Sequence, residues 1–264
     1  METYSIYEDR ELFIYRDGGK KETARHPIVR EAPLTIMLNG EELATLLCSP
    51  HSLELLAVGF LVSEGILQSR DDLKDVSCRP EQGVVWVDTA DDATRLDGFL
   101  KRNFASCCGK GRPSLHFLND HKLPQPVAHM TRFAAKDLLG WATLLDEEAK
   151  TFRLTGGVHE AALAHGEGFV AYYEDIGRHN ALDRILGYTF LNDVDTSDKA
   201  VILSSRISSG ILTKVARIGA PVVVSRAAPT CLSIDLAEQL GITLVGFARG
   251  KSLNVYTHPG RIIE

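Results

Sequence analysis

The sequence predicts an α/β fold whose character changes at Thr131. From residue 168 onward, short and nearly continuous apolar segments alternate with amphipathic ones. That alternation is typical of a mostly parallel sheet covered by helices on both faces. The N-terminal part instead shows the pattern of a hairpin followed by one helix. A length of 264 residues with 44% hydrophobic residues is ample for a sizeable core.

The N-terminal elements follow from one turn and one apolar stripe. Segment 33–48 predicts a hairpin, because two β-rich runs flank Asn39-Gly40, a pair that tolerates the positive φ angles of a type I′ turn. A helix is expected next, with Ser49 as its N-cap and Gly65 as its end. Its apolar face has helical spacing and consists of Leu53, Leu56, Ala57, Phe60 and Leu61.

The remaining elements are expected on both sides of a long connection over residues 101–130, which is rich in glycine and proline. Helices are predicted at 131–150, 180–191, 209–218 and 232–240. Strands are predicted at 84–87, 168–173, 200–204, 221–225 and 242–248.

Charge and hydropathy exclude two broad classes of protein. The net charge of -6 argues against a general nucleic-acid binder. No apolar run approaches the roughly 20 residues of a membrane span, and the N-terminus lacks the pattern of a signal peptide. We therefore expect a soluble cytoplasmic protein that binds neither nucleic acid nor membrane. Its five cysteines are an odd number and predict thiols rather than a disulfide framework.

Two adjacent cysteines, Cys107 and Cys108, are the first candidate for chemistry. Neighbouring Cα atoms lie about 3.8 Å apart, below the roughly 4.4–6.8 Å of an unstrained disulfide. Positive charge nearby favours the thiolate, which is the form that attacks sulfur. The basic neighbours are Lys101, Arg102, Lys110 and Arg112. Two small apolar side chains packed in a turn are the competing interpretation.

The string TGGVHEAAL, residues 155–163, is the second candidate. Gly156 and Gly157 stand before a stretch that favours a helix, so their amides could face an anion. A tight turn explains the glycines equally well. His159 is a candidate binding residue, although a single histidine is more often structural.

The string EDIGRHNALDR, residues 174–184, places many polar groups between a strand and a helix, where open α/β sheets bind ligands. Asn180 is expected to cap the helix. Arg178 and His179 are candidate phosphate contacts, and Asp175 could orient one of them. A capped helix with solvated charges is the alternative.

Two further junctions follow strands. SSRISSG, residues 204–210, offers Ser208 and Ser209 at a helix start, where either phosphate binding or plain capping by Ser208 is possible. FARGKSLNVYTH, residues 247–258, follows the last strand, and its candidate contacts are Phe247, Ala248, Arg249, Gly250, Lys251 and Ser252. In a parallel sheet these strand ends converge on one edge.

Taken together and in this order, the strings resemble the formate dehydrogenase accessory family (FdhD). The matching segments cover nearly the whole chain: APLTIMLNGEEL, GFLVSEGI, SCCGKGRPS, TGGVHEAAL, EDIGRHNALDRILG, SSRISSG and FARGKSLNVYTHPGRI. TGGVH followed by EDIGRHNALD is the most specific pair.

The resemblance implies a sulfurtransferase. Family members take sulfur from a cysteine desulfurase as a cysteine persulfide and deliver it to the bis-molybdopterin guanine dinucleotide cofactor (Mo or W) that formate dehydrogenase needs. They bind its guanine nucleotide end, so a GDP- or GTP-like nucleotide is an expected surrogate, and they form homodimers. The implied fold is a smaller α+β domain with the persulfide loop over residues 1–130, then a cytidine deaminase-like three-layer sandwich over residues 131–264.

The sequence departs from the family at the persulfide loop, where members commonly have Cys-x-x-Cys. Here Cys107 and Cys108 are adjacent, so we expect Cys107 to carry the persulfide with Cys108 as its partner, and the reverse assignment stays open. Zinc deaminases carry His-x-Glu and Pro-Cys-x-x-Cys. His159-Glu160 and the single Cys231 fit neither spacing, so no zinc site is expected and Cys231 is predicted to be a buried thiol.

Two other functions stay in competition. One is a chaperone that binds and inserts the pterin cofactor without sulfur chemistry. The other is a nucleotide-modifying hydrolase on a deaminase-like scaffold.

Overall fold

The N-terminal part of the chain forms two small sheets and one helix. In the computed structural model, which describes residues 5–90, 126–127 and 131–264, strands β1 (Tyr7–Tyr15) and β2 (Lys21–Val29) pair as an antiparallel ribbon. The second sheet has the order β4-β3-β6-β5. Its strands and the helix are β3 (Ala32–Leu38), β4 (Glu41–Cys48), α1 (Leu53–Ser63), β5 (Leu73–Arg79) and β6 (Val84–Thr89).

The predicted hairpin is confirmed, whereas the predicted helix cap is wrong. Asn39 and Gly40 have φ angles of 50° and 85°, as a type I′ turn requires. Helix α1 begins at Leu53 after Ser52, not after Ser49. Ser49 is fully buried, and its N–H donates to the Asp175 carboxylate. A tertiary contact thus outcompetes the local capping preference.

The C-terminal part alternates strands and helices around a six-stranded sheet with the order β13-β12-β11-β10-β8-β9. A two-stranded pair, β7 (Phe133–Ala134) and β14 (Ile262–Ile263), accompanies it. The strands of the main sheet are β8 (His159–His165), β9 (Gly168–Asp175), β10 (Ala200–Leu203), β11 (Val222–Ser225), β12 (Thr243–Arg249) and β13 (Ser252–Val255). The helices are α2 (Ala135–Glu148), α3 (Lys150–Thr155), α4 (Arg178–Leu191), α5 (Ser209–Ile218) and α6 (Cys231–Gln239).

The sheet is mixed, so the expectation of a mostly parallel sheet is corrected. Strands β10, β11 and β12 are parallel to one another, while β8 is antiparallel to both β9 and β10, and β13 is antiparallel to β12. The β8–β9 and β12–β13 connections are two residues long, which permits only antiparallel pairing.

Alternation along the strands divides the sheet into two packed faces. Ala162, Ile202 and Val224 belong to a cluster with helix α2, and Ala161, Val201 and Val223 belong to a second cluster with helices α4, α5 and α6. Helices therefore cover both faces in three layers. The second cluster also includes Leu34, Ile36 and Leu56 from the N-terminal part. The likeness to cytidine deaminases stays a prediction.

Helices α1 and α4 join the N-terminal part to the sheet at unusually close range. A β-carbon added at Gly59 would lie 1.8 Å from the Asp183 carbonyl oxygen. One added at Gly187 would lie 2.0 Å from the Leu55 carbonyl oxygen. Only glycine permits this approach of two backbones.

Candidate functional site

Four chain connections follow strands that end at one edge of the main sheet. Strand β9 runs in the same direction as β10, because both are antiparallel to β8. The ends of β9, β10, β11 and β12 therefore lie on one edge, and β8 begins there with His159. The connections at this edge are 176–177, 204–208, 226–230 and 250–251.

The connections at this edge are spread over a considerable distance. Four strand-to-strand intervals separate β12 from β9. At roughly 4.8 Å each, they place the ends of these strands about 19 Å apart. The predicted contacts at Arg178 and at Arg249 thus share an edge but suit opposite ends of an extended ligand.

The TGGVHEAAL segment, residues 155–163, forms a strand where a helix was expected. Gly156 has a φ of 66° and ends helix α3, and the residues after it form β8. A β-carbon on Gly157 would lie 2.1 Å from Val29 Cγ1, so this glycine is required by packing against β2. The glycines form a turn, and the proposed anion cradle before a helix is wrong. His159 is half-buried, and burial lowers its pKa, with Arg178 adding to the effect.

The EDIGRHNALDR segment, residues 174–184, contains the start of helix α4, with Gly177 rather than Asn180 in the N-cap position. Asn180 lies inside the helix, and its Nδ2 donates to Leu47 O and to Asp175 Oδ1, both at 2.9 Å. Tertiary contacts of the side chain have displaced the predicted cap. Asp175 pairs with Arg184 and so does not orient Arg178 or His179 as expected.

His179 is an uncharged group at this edge. Burial, followed by the charges of Lys214 and Arg178, lowers its pKa to about 3. Its Nε2 lies 3.5 Å from where a β-carbon on Gly210 would be, so the starts of α4 and α5 face each other. In the ligand-free protein His179 is therefore a neutral hydrogen-bonding group beside the guanidinium of Arg178.

The start of α5 leaves two hydroxyls for a ligand. Ser208 is the N-cap, but its side chain makes no capping hydrogen bond. The capping alternative for Ser208 is therefore absent from the structure. Ser208 and Ser209 are both half-buried beside the exposed Arg206.

Residues 226–230 are part of the edge, and motif reasoning missed them. The Ile207 N–H donates to Ala228 O at 3.2 Å, and the Phe247 N–H donates to Ala227 O, also at 3.2 Å. This segment thus ties the 204–208 connection to the end of β12. The strand PVVVS before this segment was predicted. Ligands of open α/β sheets bind beyond the carboxyl ends of the strands, and this rule could have indicated residues 226–230 as well.

The end of β12 contains a bulge at Phe247, whose φ is 53°. An aromatic residue rarely adopts this left-handed conformation, and such strain clusters at functional sites. The Arg249 guanidinium lies 5.7 Å from the centre of the Phe247 ring. Ala248 is buried, whereas Arg249, Gly250, Lys251 and Ser252 are exposed in the tight turn to β13.

The cysteine predictions have different outcomes. Cys107 and Cys108 lie outside the described residues. Cys231 is exposed at the first position of α6, so the prediction of a buried thiol is wrong. Burial raises the pKa of Cys48 to about 12 and that of Cys78 to about 11, which makes both poor nucleophiles at neutral pH.

Residues 5–90, 126–127 and 131–264 contain no group of three or more His, Cys, Asp or Glu side chains that could hold a metal ion. Nor does any helix there combine the length and apolar character needed to cross a bilayer.

Comparisons with known proteins reveal related chains along nearly the whole sequence. A family model described as the FdhD/NarQ family matches residues 29–263. The chain is 41% identical over 261 residues to the Sulfur carrier protein FdhD of Bacillus pumilus, covering 98% of this chain and 99% of that one. It is 42% identical over 259 residues to the protein of that name in Staphylococcus aureus strain MRSA252, covering 98% and 94%.

A solved structure has the same fold. It is a crystal structure from Desulfotalea psychrophila described as a formate dehydrogenase accessory protein. It superposes with a TM-score of 0.81 and 24% sequence identity, covering 98% of this chain and 100% of that chain.

Proposed function

This chain belongs to the FdhD/NarQ family, whose relatives in Bacillus pumilus and Staphylococcus aureus are named sulfur carrier proteins, and we propose a specific sulfurtransferase activity for it. The protein accepts persulfide sulfur from a cysteine desulfurase. It passes that sulfur to the bis-molybdopterin guanine dinucleotide cofactor, with molybdenum or tungsten, which formate dehydrogenase requires. It works in the cytoplasm as a homodimer.

The observation that carries the proposal is the shared edge of four strand ends. One end of it offers Arg178 with the hydroxyls of Ser208 and Ser209, and the other offers Arg249 and Lys251. A span of about 19 Å between strand ends suits a large, multiply charged ligand better than a single phosphate group. A dinucleotide cofactor has this character. Its phosphates would contact the basic side chains, and its rings would lie along the edge between them.

Cys107 is the expected carrier and Cys108 its partner. In the loading step, the carrier thiolate attacks the terminal sulfur of the desulfurase persulfide. The sulfur–sulfur bond of the donor breaks, and the desulfurase leaves as a thiolate. The basic residues around the pair favour the attacking thiolate.

The test is an intact-mass measurement after incubation with a cysteine desulfurase and cysteine. We expect a gain of one sulfur atom that a thiol reductant removes. The gain should disappear in Cys107→Ala or in Cys108→Ala, whichever removes the carrier. Cys231→Ala is the matched control, because Cys231 is an exposed cysteine outside the proposed carrier loop. Loading that survives replacement of both Cys107 and Cys108 would contradict the proposal.

The competing chaperone function is favoured by one observation, namely that the groups placed along this edge suit anion binding. It predicts that the Cys107→Ala, Cys108→Ala double variant still activates formate dehydrogenase in a deletion strain. Loss of activation with intact cofactor binding excludes it. Binding is tested separately: GDP should raise the melting temperature, since a ligand that binds only the folded state stabilises it.

A further inference from the structure

One carboxyl oxygen of Glu160 is buried without a hydrogen-bond partner among the described residues, at the same sheet edge. Glu160 is the second residue of β8 and is 3% exposed. Within the described part of the chain, its Oε1 has no hydrogen-bond partner. Buried polar atoms in native proteins nearly always have one, so an orphaned carboxyl oxygen calls for a functional explanation.

The neighbours of Glu160 do not supply the missing donor. Glu174 lies directly opposite it in the β8–β9 register, which places a second carboxyl group on the same face of the sheet. The Tyr172 hydroxyl donates to Glu174 Oε1 at 3.0 Å. Arg226 forms an ion pair with Asp146. These two donors therefore serve other carboxylates. The Ser204 hydroxyl hydrogen-bonds the Glu160 carboxyl group but leaves Oε1 without a partner among the described residues.

The electrostatics agree with a buried carboxyl group that has room for further donors. Burial is the largest effect and raises the pKa of Glu160. The hydrogen bond from Ser204 lowers that pKa, the facing Glu174 raises it, and Arg226 lowers it by a smaller effect. Two hydrogen-bond donors of a bound ligand would stabilise the ionised carboxylate of Glu160. The part of the ligand that meets Glu160 must therefore present N–H groups, because a phosphate offers only acceptor oxygens and negative charge.

We propose that Glu160 reads the 2-amino-4-oxopyrimidine edge of the cofactor, which guanine and pterin share. That edge carries a ring N–H beside an amino group, and two adjacent donors match the two oxygens of a carboxylate in the way a bidentate guanidinium does. Glu174, Ser204 and Arg226 are half-buried and form the rim around the buried carboxyl. The inference rests on the proposed function and adds to it the residue that selects the ring.

The experiment uses three soluble probes on the full chain: GDP, IDP and neopterin. IDP lacks only the amino group of guanine, so the wild type should bind GDP more tightly than IDP. Glu160→Gln keeps the side-chain shape but replaces one acceptor oxygen with a donor. We expect it to weaken GDP binding by about 10- to 100-fold, as loss of a hydrogen bond to a charged group does, while IDP binding changes far less.

Glu148→Gln is the matched control, since Glu148 is an exposed glutamate on helix α2, which covers the same face of the sheet. It should leave the GDP-to-IDP ratio unchanged. If Glu160→Gln weakens the binding of GDP, guanine is the ring that Glu160 binds. If it weakens the binding of neopterin alone, the pterin is that ring.

The outcomes separate this inference from the proposed function. Equal affinity of the wild type for GDP and IDP, together with neopterin binding that ignores Glu160→Gln, overturns the role of Glu160. The wild-type ratio needs no variant and so does not depend on folding of the mutant. Sulfur loading is measured independently, and its failure would remove the proposed function instead.

Discussion

Asp175 and Arg184 form an ion pair in which both side chains are fully buried, with 2.5 Å between Oδ2 and Nη1. Arg184 also donates from Nη2 to Ser49 O and from Nε to His51 O, and Asp175 accepts from the Ser49 N–H. The pair thus fastens the segment before helix α1 to the end of strand β9. It fixes the N-terminal part of the chain beside the candidate site.

Arg184→Met should destabilise the protein strongly. It leaves the Asp175 carboxylate buried without its counter-ion and removes the donors to two carbonyl groups. Breaking a buried pair in this way typically lowers the free energy of unfolding by about 3–5 kcal/mol. Urea denaturation monitored by circular dichroism measures the change.

Arg16→Met is the control for this prediction. Arg16 and Glu22 also approach to 2.5 Å, but their side chains are 62% and 35% exposed. Its cost should stay below about 1 kcal/mol, because solvent screens an exposed pair. Equal effects of the two substitutions would show that the buried Asp175–Arg184 ion pair contributes no more to the free energy of unfolding than an exposed ion pair does.

Gly59→Ala should also destabilise the protein, by about 1–3 kcal/mol or more, because the new β-carbon collides with the backbone of α4 at Asp183. Gly140→Ala is its matched control inside helix α2, where a β-carbon meets no atom within 4 Å. That change should raise the free energy of unfolding by about 0.5–1 kcal/mol, since alanine favours a helix over glycine. Thermal unfolding of the two variants should shift in opposite directions.

His179 should make the folded state sensitive to mild acid. The unfolded chain takes up a proton on this histidine near pH 6.5, whereas the folded chain does not until about pH 3. Stability is therefore lost as the pH falls through 6.5, and the loss continues down to about 3. Between pH 7 and pH 5 this single group should cost about 2 kcal/mol.

The measurement is a series of urea denaturations from pH 7 to pH 5 on the wild type and His179→Gln. The variant should lose about 2 kcal/mol less over that range. His51, whose pKa burial lowers to about 4, supplies a second acid-sensitive group that both proteins retain. Identical pH slopes would contradict a His179 that stays neutral in the folded protein.

Phe247→Gly should separate stability from ligand binding. Glycine accepts the left-handed backbone that phenylalanine resists, so the free energy of unfolding should hold or rise by up to about 1 kcal/mol. GDP affinity should nevertheless fall, because the ring beside Arg249 is gone. Phe247→Leu keeps the strain and should gain no stability. A Phe247→Gly variant with undiminished GDP affinity would show that the bulge serves only the fold.

Local signals predicted the regular elements well where packing agreed with them. The Asn39-Gly40 turn forms as expected, and the apolar periodicity predicted α5 at 209–218 with the observed bounds. Strands β1 and β2 gave no such signal, because charged residues lie on both faces of an exposed ribbon. Strand β8 was hidden by a composition, HEAALAH, that also favours a helix.

The candidate site divides in the same way. Polar residues after apolar strands predicted that these connections share one edge of the sheet, and they do, since the position of a strand end is a local property. The partners of those residues are not local. Asp175 and Asn180 bind groups more than 125 residues away at Ser49 and Leu47, and no spacing within 174–184 encodes that.

The sequence by itself determined the family, the alternation of strands and helices, and the loops that end at the candidate edge, because each is written in short-range patterns of residue type. Only the tertiary structure decided that Asp175 forms a buried ion pair, that His179 is neutral, and that Glu160 Oε1 has no hydrogen-bond partner among the described residues. Those properties depend on burial and on charges brought together from distant segments, which desolvate or pair a group regardless of its neighbours along the chain.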